Sequence, residues 1–410
     1  MGNISYFCIV KRFISLLRCL SLIICLLCTI DLSAQNAVEP SLNLDSVEIS
    51  LLTCRPRQNV YSLYGHTAIR VQDKQNQLDV AVNYGMFSFE KPFFILRFVF
   101  GLTDYSMDIE DFETFRIHYA TSGTGVRQQT LNLTNDEKRA IIAAIEKNYE
   151  PQNRIYRYNY FYDNCTTRAR DILLNHINGT IRYQSRNKNN ESYREMIHAY
   201  NEKYRWARFG KDLLLGIKSD FPTDHTQQQF LPDNLRKDFD NAVIIDNNGN
   251  KRPLVKDSTW VIQPGIQAEW KGFPLSPTTC AIIFFIIITA ASVYERCKNK
   301  MFWGVDAFLM SATGICGLIL FAMLFSQHPT VKVNLQILLL NPLCLVFLYP
   351  SVKSLRKHAI HKWLLVWMIL IVLFLIGGFF QSYAEGMTIV ALSLLIRYIL
   401  KFDQIVQAKR

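Results

Sequence analysis

The sequence has no zinc-knuckle spacing, no Walker phosphate loop and no dinucleotide fingerprint. These absences remove the usual metal, nucleoside-triphosphate and nicotinamide readings, and no cofactor and no metal ion are expected. Cysteine is scarce where a small secreted scaffold would need it. Of 10 cysteines only Cys54 and Cys165 fall in the polar middle of the chain; Cys8, Cys19, Cys25 and Cys28 lie in an N-terminal apolar stretch, and Cys280, Cys297, Cys316 and Cys344 in a C-terminal one. That excludes a disulfide framework, although a single Cys54–Cys165 bridge stays open in an oxidising compartment. Acidic residues are also in deficit, 34 against 45 Lys and Arg, for a net charge of +11. Many of the basic residues flank apolar spans, where they set membrane orientation, so no nucleic-acid partner is expected.

What the chain does have is apolar ends. Lys11, Arg12 and Arg18 precede or enter the run CLSLIICLLCTI at 19–30, and a small-residue exit, LSA, leads into QNAVEP. This is the pattern of an export signal over 1–34 cleaved after Ala34, with an uncleaved anchor as the alternative. A soluble domain is expected over 35–276 and a membrane domain over 277–402, with spans near 278–294, 303–325, 334–350, 359–380 and 385–400. Arg296, Lys298 and Lys300, then Lys353, Arg356, Lys357 and Lys362, then Lys401, Lys409 and Arg410 fall on one side of these spans. That side is the cytoplasmic one, which leaves the soluble domain outside.

The segment YNYFYDNCTTRARDIL at 158–173 centres the soluble domain. An aromatic, β-prone run stops at Asp163-Asn164, either of which suits a helix N-cap, and a helix begins with Cys165 in its first turn. The helix dipole there favours the thiolate. Cys165 reads as a nucleophile, or else as a buried small residue or half of a disulfide. Upstream, strands are expected over 47–53, 68–71 with His66 opening it, 79–84 and 127–133, and a capping-box helix starts at Thr134. A hairpin about the turn 73–77 sets His66 opposite Asn83 or Tyr84. Asn83 then orients the imidazole or pairs with backbone.

The aromatics of 85–105 (Phe87, Phe89, Phe93, Phe94, Phe98, Phe100, Tyr105) are expected mostly in the core, with an acyl-chain groove or the bilayer surface as alternatives. His225 reads as a solvated loop histidine. His328, Asn334 and Glu385, at the outer membrane face, read as loop and helix caps.

A histidine opening a strand and a cysteine opening a helix resemble the papain-like arrangement with the order reversed, as in circularly permuted papain/NlpC-like folds, some of which transfer acyl groups through a thioester. The expected fold is an α+β periplasmic domain of that kind, followed by an all-α membrane domain of five transmembrane helices. Fixing such an enzyme beside a leaflet favours a phospholipid as acyl donor. A membrane-anchored hydrolase of cell-wall peptides or lipids shares the dyad, and a scaffold or sensor with a structural disulfide is the non-enzymatic alternative.

The segments YGHTAIRV, VNYGMFSFEKPFF, YFYDNCTTRARDIL, WARFGKDLLLG and FSQHPTVKVNLQILLLNPL resemble the Lnb family of bacterial lipoprotein N-acyltransferases. The resemblance implies a multi-pass protein of the inner membrane with a periplasmic catalytic domain. It implies transfer of an acyl chain from a membrane phospholipid to the N-terminal cysteine amine of diacylated lipoproteins. Cys165 matches the family cysteine and His66 the family histidine. The third group is not settled by the resemblance; Asn83 and Asp163 are the candidates.

Overall fold

A computed structural model describes residues 44–408, apart from 89, 91, 185–189 and 268–271. The signal expected over 1–34 lies outside these residues. The chain divides into Met1–Ser46, of which only Leu44, Asp45 and Ser46 are described, and Val47–Arg410, which carries every element below.

Alternating β-branched and small residues build an antiparallel sheet from β1 (Val47–Cys54), β2 (His66–Asp73), β3 (Leu78–Met86), β4 (Asp104–Asp111), β5 (Val126–Leu131), β6 (Ile155–Arg157) and a late strand, Val255–Ile262, in the order late strand-β5-β1-β2-β3-β4-β6. Three short strands, Thr180–Arg182, Val243–Ile245 and Lys251–Pro253, form a second sheet; its hairpin turns at Asn247-Asn248-Gly249. Strand period two splits β2 between faces. Thr67 bonds Thr166 of the helix Cys165–Leu174, hydroxyl to hydroxyl, at 3.0 Å. Ala68 packs on the other face, in a cluster with Leu52, Cys54, Ala81 and the Phe112–Thr121 helix residues Phe112, Phe115 and Tyr119. The expected capping box at Thr134 is present on the helix Asn135–Tyr149.

Two local expectations change. The aromatic run 158–162 is not a strand; β6 ends before it, and the chain turns through an Asn159–Asp163 bridge so that Phe161 is buried among Tyr160, Tyr193 and Phe230. Side-chain burial here overrides backbone propensity. The strand β4 was not expected, although Tyr105, Met107 and Ile109 alternate with polar residues along it.

The C-terminal part is helical. Pro277–Lys298 and Trp303–Met323 are long and apolar enough to cross a membrane. The expected straight span at 334–350 is instead broken, with a 76° bend between Leu335–Val346 and Leu348–Arg356. Pro350 explains the break, because it has no N–H to give the Val346 carbonyl. Lys362–Gly377 is apolar but shorter, and Met387–Gln407 carries Arg397, Lys401 and Asp403. Lys401 is not the flanking charge the sequence suggests. It is buried with Arg397 against Glu295 and Asp306: Arg397 reaches Glu295 at 2.9 Å and Asp306 at 2.8 Å, and Lys401 reaches both carboxylates at 2.9 Å. Two cations matched to two anions satisfy each other where single charges would be costly.

Candidate active site

Asn164, not Asp163, caps the Cys165 helix. Its Oδ1 accepts from the N–H groups of Thr166 and Thr167, both at 2.9 Å, and Thr167 Oγ1 accepts from the Asn164 N–H at 2.9 Å. Asn164 Nδ2 also donates to the carbonyls of Tyr160 and Phe230, each at 3.0 Å. Asp163 turns away, its carboxylate in a two-bond fork with Arg168 at 2.6 and 2.8 Å. Cys165 is therefore the first residue of a firmly capped helix, and its own N–H has no intrahelical acceptor. Asn164→Ala removes a cap and leaves two carbonyls unpaired. It should cost about 2 kcal/mol, read as a lower thermal unfolding midpoint of the purified protein.

The helix starts where β2 starts, so Cys165 and His66 meet. The register pairs Ala68 with Asn83, one residue further along β2 than His66 opposite Tyr84 would give and two further than His66 opposite Asn83, and places His66 diagonal to Asn83 on the same face. The orienting bond still forms: His66 Nε2 and Asn83 Oδ1 are 3.0 Å apart. Asn83 Nδ2 donates to Glu110 of β4 at 2.7 Å. A carboxylate only accepts, which turns the amide oxygen toward His66. His66 thus gives its Nε2–H to Asn83 and presents Nδ1 to the sulfur. Glu110 escaped the sequence because it reaches Asn83 through the β3–β4 pairing, which is interrupted by a register shift between Asn83 and Met86. Gly85 sits in that shift at φ +85°, and a Cβ there would stand 3.5 Å from Cys165 Cβ. Asn83→Ala frees the imidazole to rotate and should lower turnover about a hundredfold with little change in substrate affinity, read as separate kcat and KM values.

Electrostatics favour a charged pair. Burial raises the Cys165 thiol, but the His66 charge and hydrogen bond, the Thr67 N–H and the Thr166 hydroxyl outweigh it and hold the thiol below its ordinary value. Burial lowers the His66 imidazole, yet Cys165 and Asn83 more than offset this and hold it above its ordinary value. The thiolate therefore persists to lower pH, and the imidazolium to higher pH, than either would alone. Iodoacetamide should alkylate Cys165 with a pH midpoint below that of a free thiol, and in His66→Ala that midpoint should move up.

Cys54 is no partner for Cys165: both are free thiols. Cys54 pairs across β1–β2 with His66 but is buried, and burial pushes its thiol up to about 12 despite a hydrogen bond from Tyr119. His225 lies elsewhere, stacked on Tyr183 with Nε2 2.9 Å from Asp238. Among the described residues no cluster of His, Cys, Asp and Glu is arranged to hold a metal.

A cavity of about 640 Å³ opens beside Cys165 and His66. Most of the aromatics expected in the core line it instead. Phe98, Phe94, Phe87, Tyr105 and Tyr158 form a continuous stacked column, with ring centroids 6.5, 5.5, 5.0 and 4.1 Å apart in turn. At its far end Phe98 meets His328, 5.9 Å away, in the loop after Trp303–Met323. That loop is docked: Gln327 N donates to Phe100 O at 2.9 Å, Ser326 Oγ to Val99 O at 2.9 Å, and His328 Nε2 to Phe98 O at 3.1 Å. Asn334 caps the next turn as expected and also donates to Leu213 O at 2.7 Å. Glu385 accepts from the Thr278 N–H at 3.1 Å and pairs with Arg205.

Residues 34–199 match the family model of the Lnb N-terminal periplasmic domain, and residues 268–409 that of the Lnb transmembrane domain. The chain belongs to the Lnb family. It is accordingly a membrane protein with a periplasmic portion. No curated protein and no solved structure matches it. Within this Lnb protein the candidate dyad lies in the periplasmic segment, while Met323, His328 and Val331 of the transmembrane segment complete the cavity wall.

Proposed function

We propose that this Lnb protein transfers an acyl chain from a membrane phospholipid to the N-terminal cysteine amine of a diacylated lipoprotein, with Cys165 as nucleophile, His66 as acid and base and Asn83 as the group that orients it. It sits in the bacterial inner membrane with five crossings, and its outer domain is a permuted papain/NlpC-like fold. The observation that carries this reading is the aromatic column that runs from the docked membrane loop to Tyr158, along the wall of the cavity that Cys165 also lines. An apolar wall favours an acyl chain and disfavours water, the acceptor a hydrolase needs.

The steps balance. The Cys165 thiolate attacks the donor's ester carbonyl, and the Cys165 N–H faces the oxyanion at the helix start. Thr166 and Thr167 N–H are already taken by Asn164 and do not contribute. The C–O bond breaks, and the His66 imidazolium gives its proton to the departing lysophospholipid oxygen. The lipoprotein amine then attacks the thioester, His66 takes a proton from it, and the thiolate departs to restore the ion pair.

The test is expression in a bacterium lacking lipoprotein N-acyltransferase, with mass spectra of a reporter lipoprotein's N-terminal peptide. One added acyl chain on the amine supports the proposal. An unmodified amine, with the protein present in the membrane, overturns it and moves attention to hydrolysis of cell-wall fragments.

A further inference from the structure

Hydrocarbon contacts alone do not select a donor from a bilayer. An acyl chain leaving the lipid interior for an apolar cavity exchanges one dry apolar environment for another. Selection has to come from polar groups near the ester. Three cations line the cavity: Arg55 is exposed, Lys211 donates to the Tyr64 hydroxyl at 2.7 Å, and Arg57 is held with donors to spare.

Arg57 lines the cavity and lies close enough to His66 to influence its charge. Two contacts fix its guanidinium, and a third fixes its backbone. The Arg57 N–H donates to Ser62 O at 2.9 Å, which holds the loop. The Tyr119 ring covers one face, with its centroid 4.1 Å from Cζ. Nη1 donates to His118 Nε2 at 2.8 Å. Arginine only donates, so His118 accepts as neutral imidazole; burial and the Arg57 charge both keep it so. The guanidinium is held without being neutralised.

The remaining edge is informative. Arg70 uses Nε and Nη2 to grip Asp79 at 2.7 and 2.5 Å, and Arg168 uses the same two nitrogens on Asp163. In Arg57 these two nitrogens have no acceptor among the described residues, and they are covered, so an incoming oxygen reaches them only by displacing the side chains around them. Buried donors normally find partners, and this edge matches a carboxylate or phosphate fork.

We propose that the Nε–Nη2 edge of Arg57 recognises the phosphodiester of the acyl donor and so aligns its ester on Cys165. The proposal rests on the phospholipid-donor reading above and deepens it. It makes the enzyme select lipids by the phosphate and not by the chain.

The full-length protein in detergent micelles is tested by native mass spectrometry with a dialkyl-ether phosphatidylethanolamine, which has no ester to cleave, and with the matching dialkylglycerol. The ether phospholipid should bind about tenfold or more tighter than the dialkylglycerol. Arg57→Gln should erase that difference, and Arg57→Lys should restore part of it. The thermal unfolding midpoint checks that both variants fold. An Arg57→Gln variant that weakens both lipids equally, or neither, overturns the proposal. Inorganic phosphate that displaces the ether phospholipid at low millimolar concentration assigns the edge to free phosphate and overturns it too. Acylation of Cys165 by a diacyl phospholipid separates the two readings. Arg57-dependent binding without acylation removes the transfer mechanism and leaves the recognition site. Acylation at the native rate in Arg57→Gln does the reverse.

Discussion

Cys165→Ala should abolish acyl transfer, by about a thousandfold or more, while the protein still folds and inserts. The prediction is strong because the substituted side chain contributes little to the fold. The Asn164 cap, the Thr67–Thr166 bond and the Arg168–Asp163 fork that hold the helix start do not involve the sulfur. Cys165→Ser should fail nearly as badly, because the His66 charge and hydrogen bond that stabilise a thiolate cannot bring a hydroxyl, with its much higher intrinsic pKa, into the same range. His66→Ala should match it, and the double variant should be little worse than either single one, since the pair acts as a unit. The rate of acyl-enzyme formation, read by intact mass with a phospholipid donor, checks Cys165→Ser and His66→Ala, and the rate of acyl transfer to a reporter lipoprotein checks Cys165→Ala and the double variant. A Cys165→Ser variant of native activity would remove the thioester route. The working window follows from the same pair: activity should rise as Cys165 ionises, below the usual thiol range, and fall as the His66 imidazolium is lost, above the usual imidazole range. The two limbs belong to the coupled pair and not to either residue alone.

The centre of this site was legible because its signals are local. Asn164 before a helical run marks a cap, His66 before an alternating run marks a strand start, and a polar turn at 73–77 brings Asn83 near it. Even so, the register fell one or two residues from those expected, and only the diagonal reach of His66 preserved the bond. Glu110 and Arg57 were not legible. Glu110 depends on the pairing of β3 with β4 past an irregular register, and Arg57 sits in a loop whose meaning comes from the Tyr119 ring and the His118 acceptor on a helix some 60 residues on. The aromatics of 85–105 could not be divided between core and groove from composition. The deciding fact is a set of ring contacts between residues far apart in the chain, with Tyr105 stacked on Tyr158 and Phe98 tilted against His328. The membrane helices were legible by hydropathy where charge was absent. Hydropathy did not show the bend at 334–350, where Pro350 breaks the run, nor that Glu295 and Asp306 on other helices answer the charge of Lys401.

The second large effect should come from a residue outside the dyad. Gly216 follows the helix Arg205–Leu214 and lies against the membrane loop: its N–H donates to Thr330 O at 2.8 Å, and the Ile217 N–H donates to Val333 O at 2.9 Å. Arg194, itself buried, gathers the Leu215 and Gly216 carbonyls with Asp212 and Asp220, which stiffens this side of the contact. A Cβ on Gly216 would fall on the Val333 carbonyl, 2.7 Å from its carbon. Backbone cannot rotate away as a side chain would, so Gly216→Val must displace the loop or break both bonds. That loop carries His328 and Val331 into the cavity wall, so the route from membrane to thiol should be disturbed while the dyad stays intact. Transfer should fall about tenfold to a hundredfold, the scale at which a misplacement of about 1 Å registers in rate. Iodoacetamide alkylation of Cys165 should keep its native rate and pH midpoint. Gly210→Ala, whose Cβ would meet nothing within 4 Å on the same helix, serves as the neutral control. Equal losses of transfer and alkylation in Gly216→Val would mean that the outer domain has been damaged as a whole. Native transfer would mean that the docked loop has no part in delivering the donor.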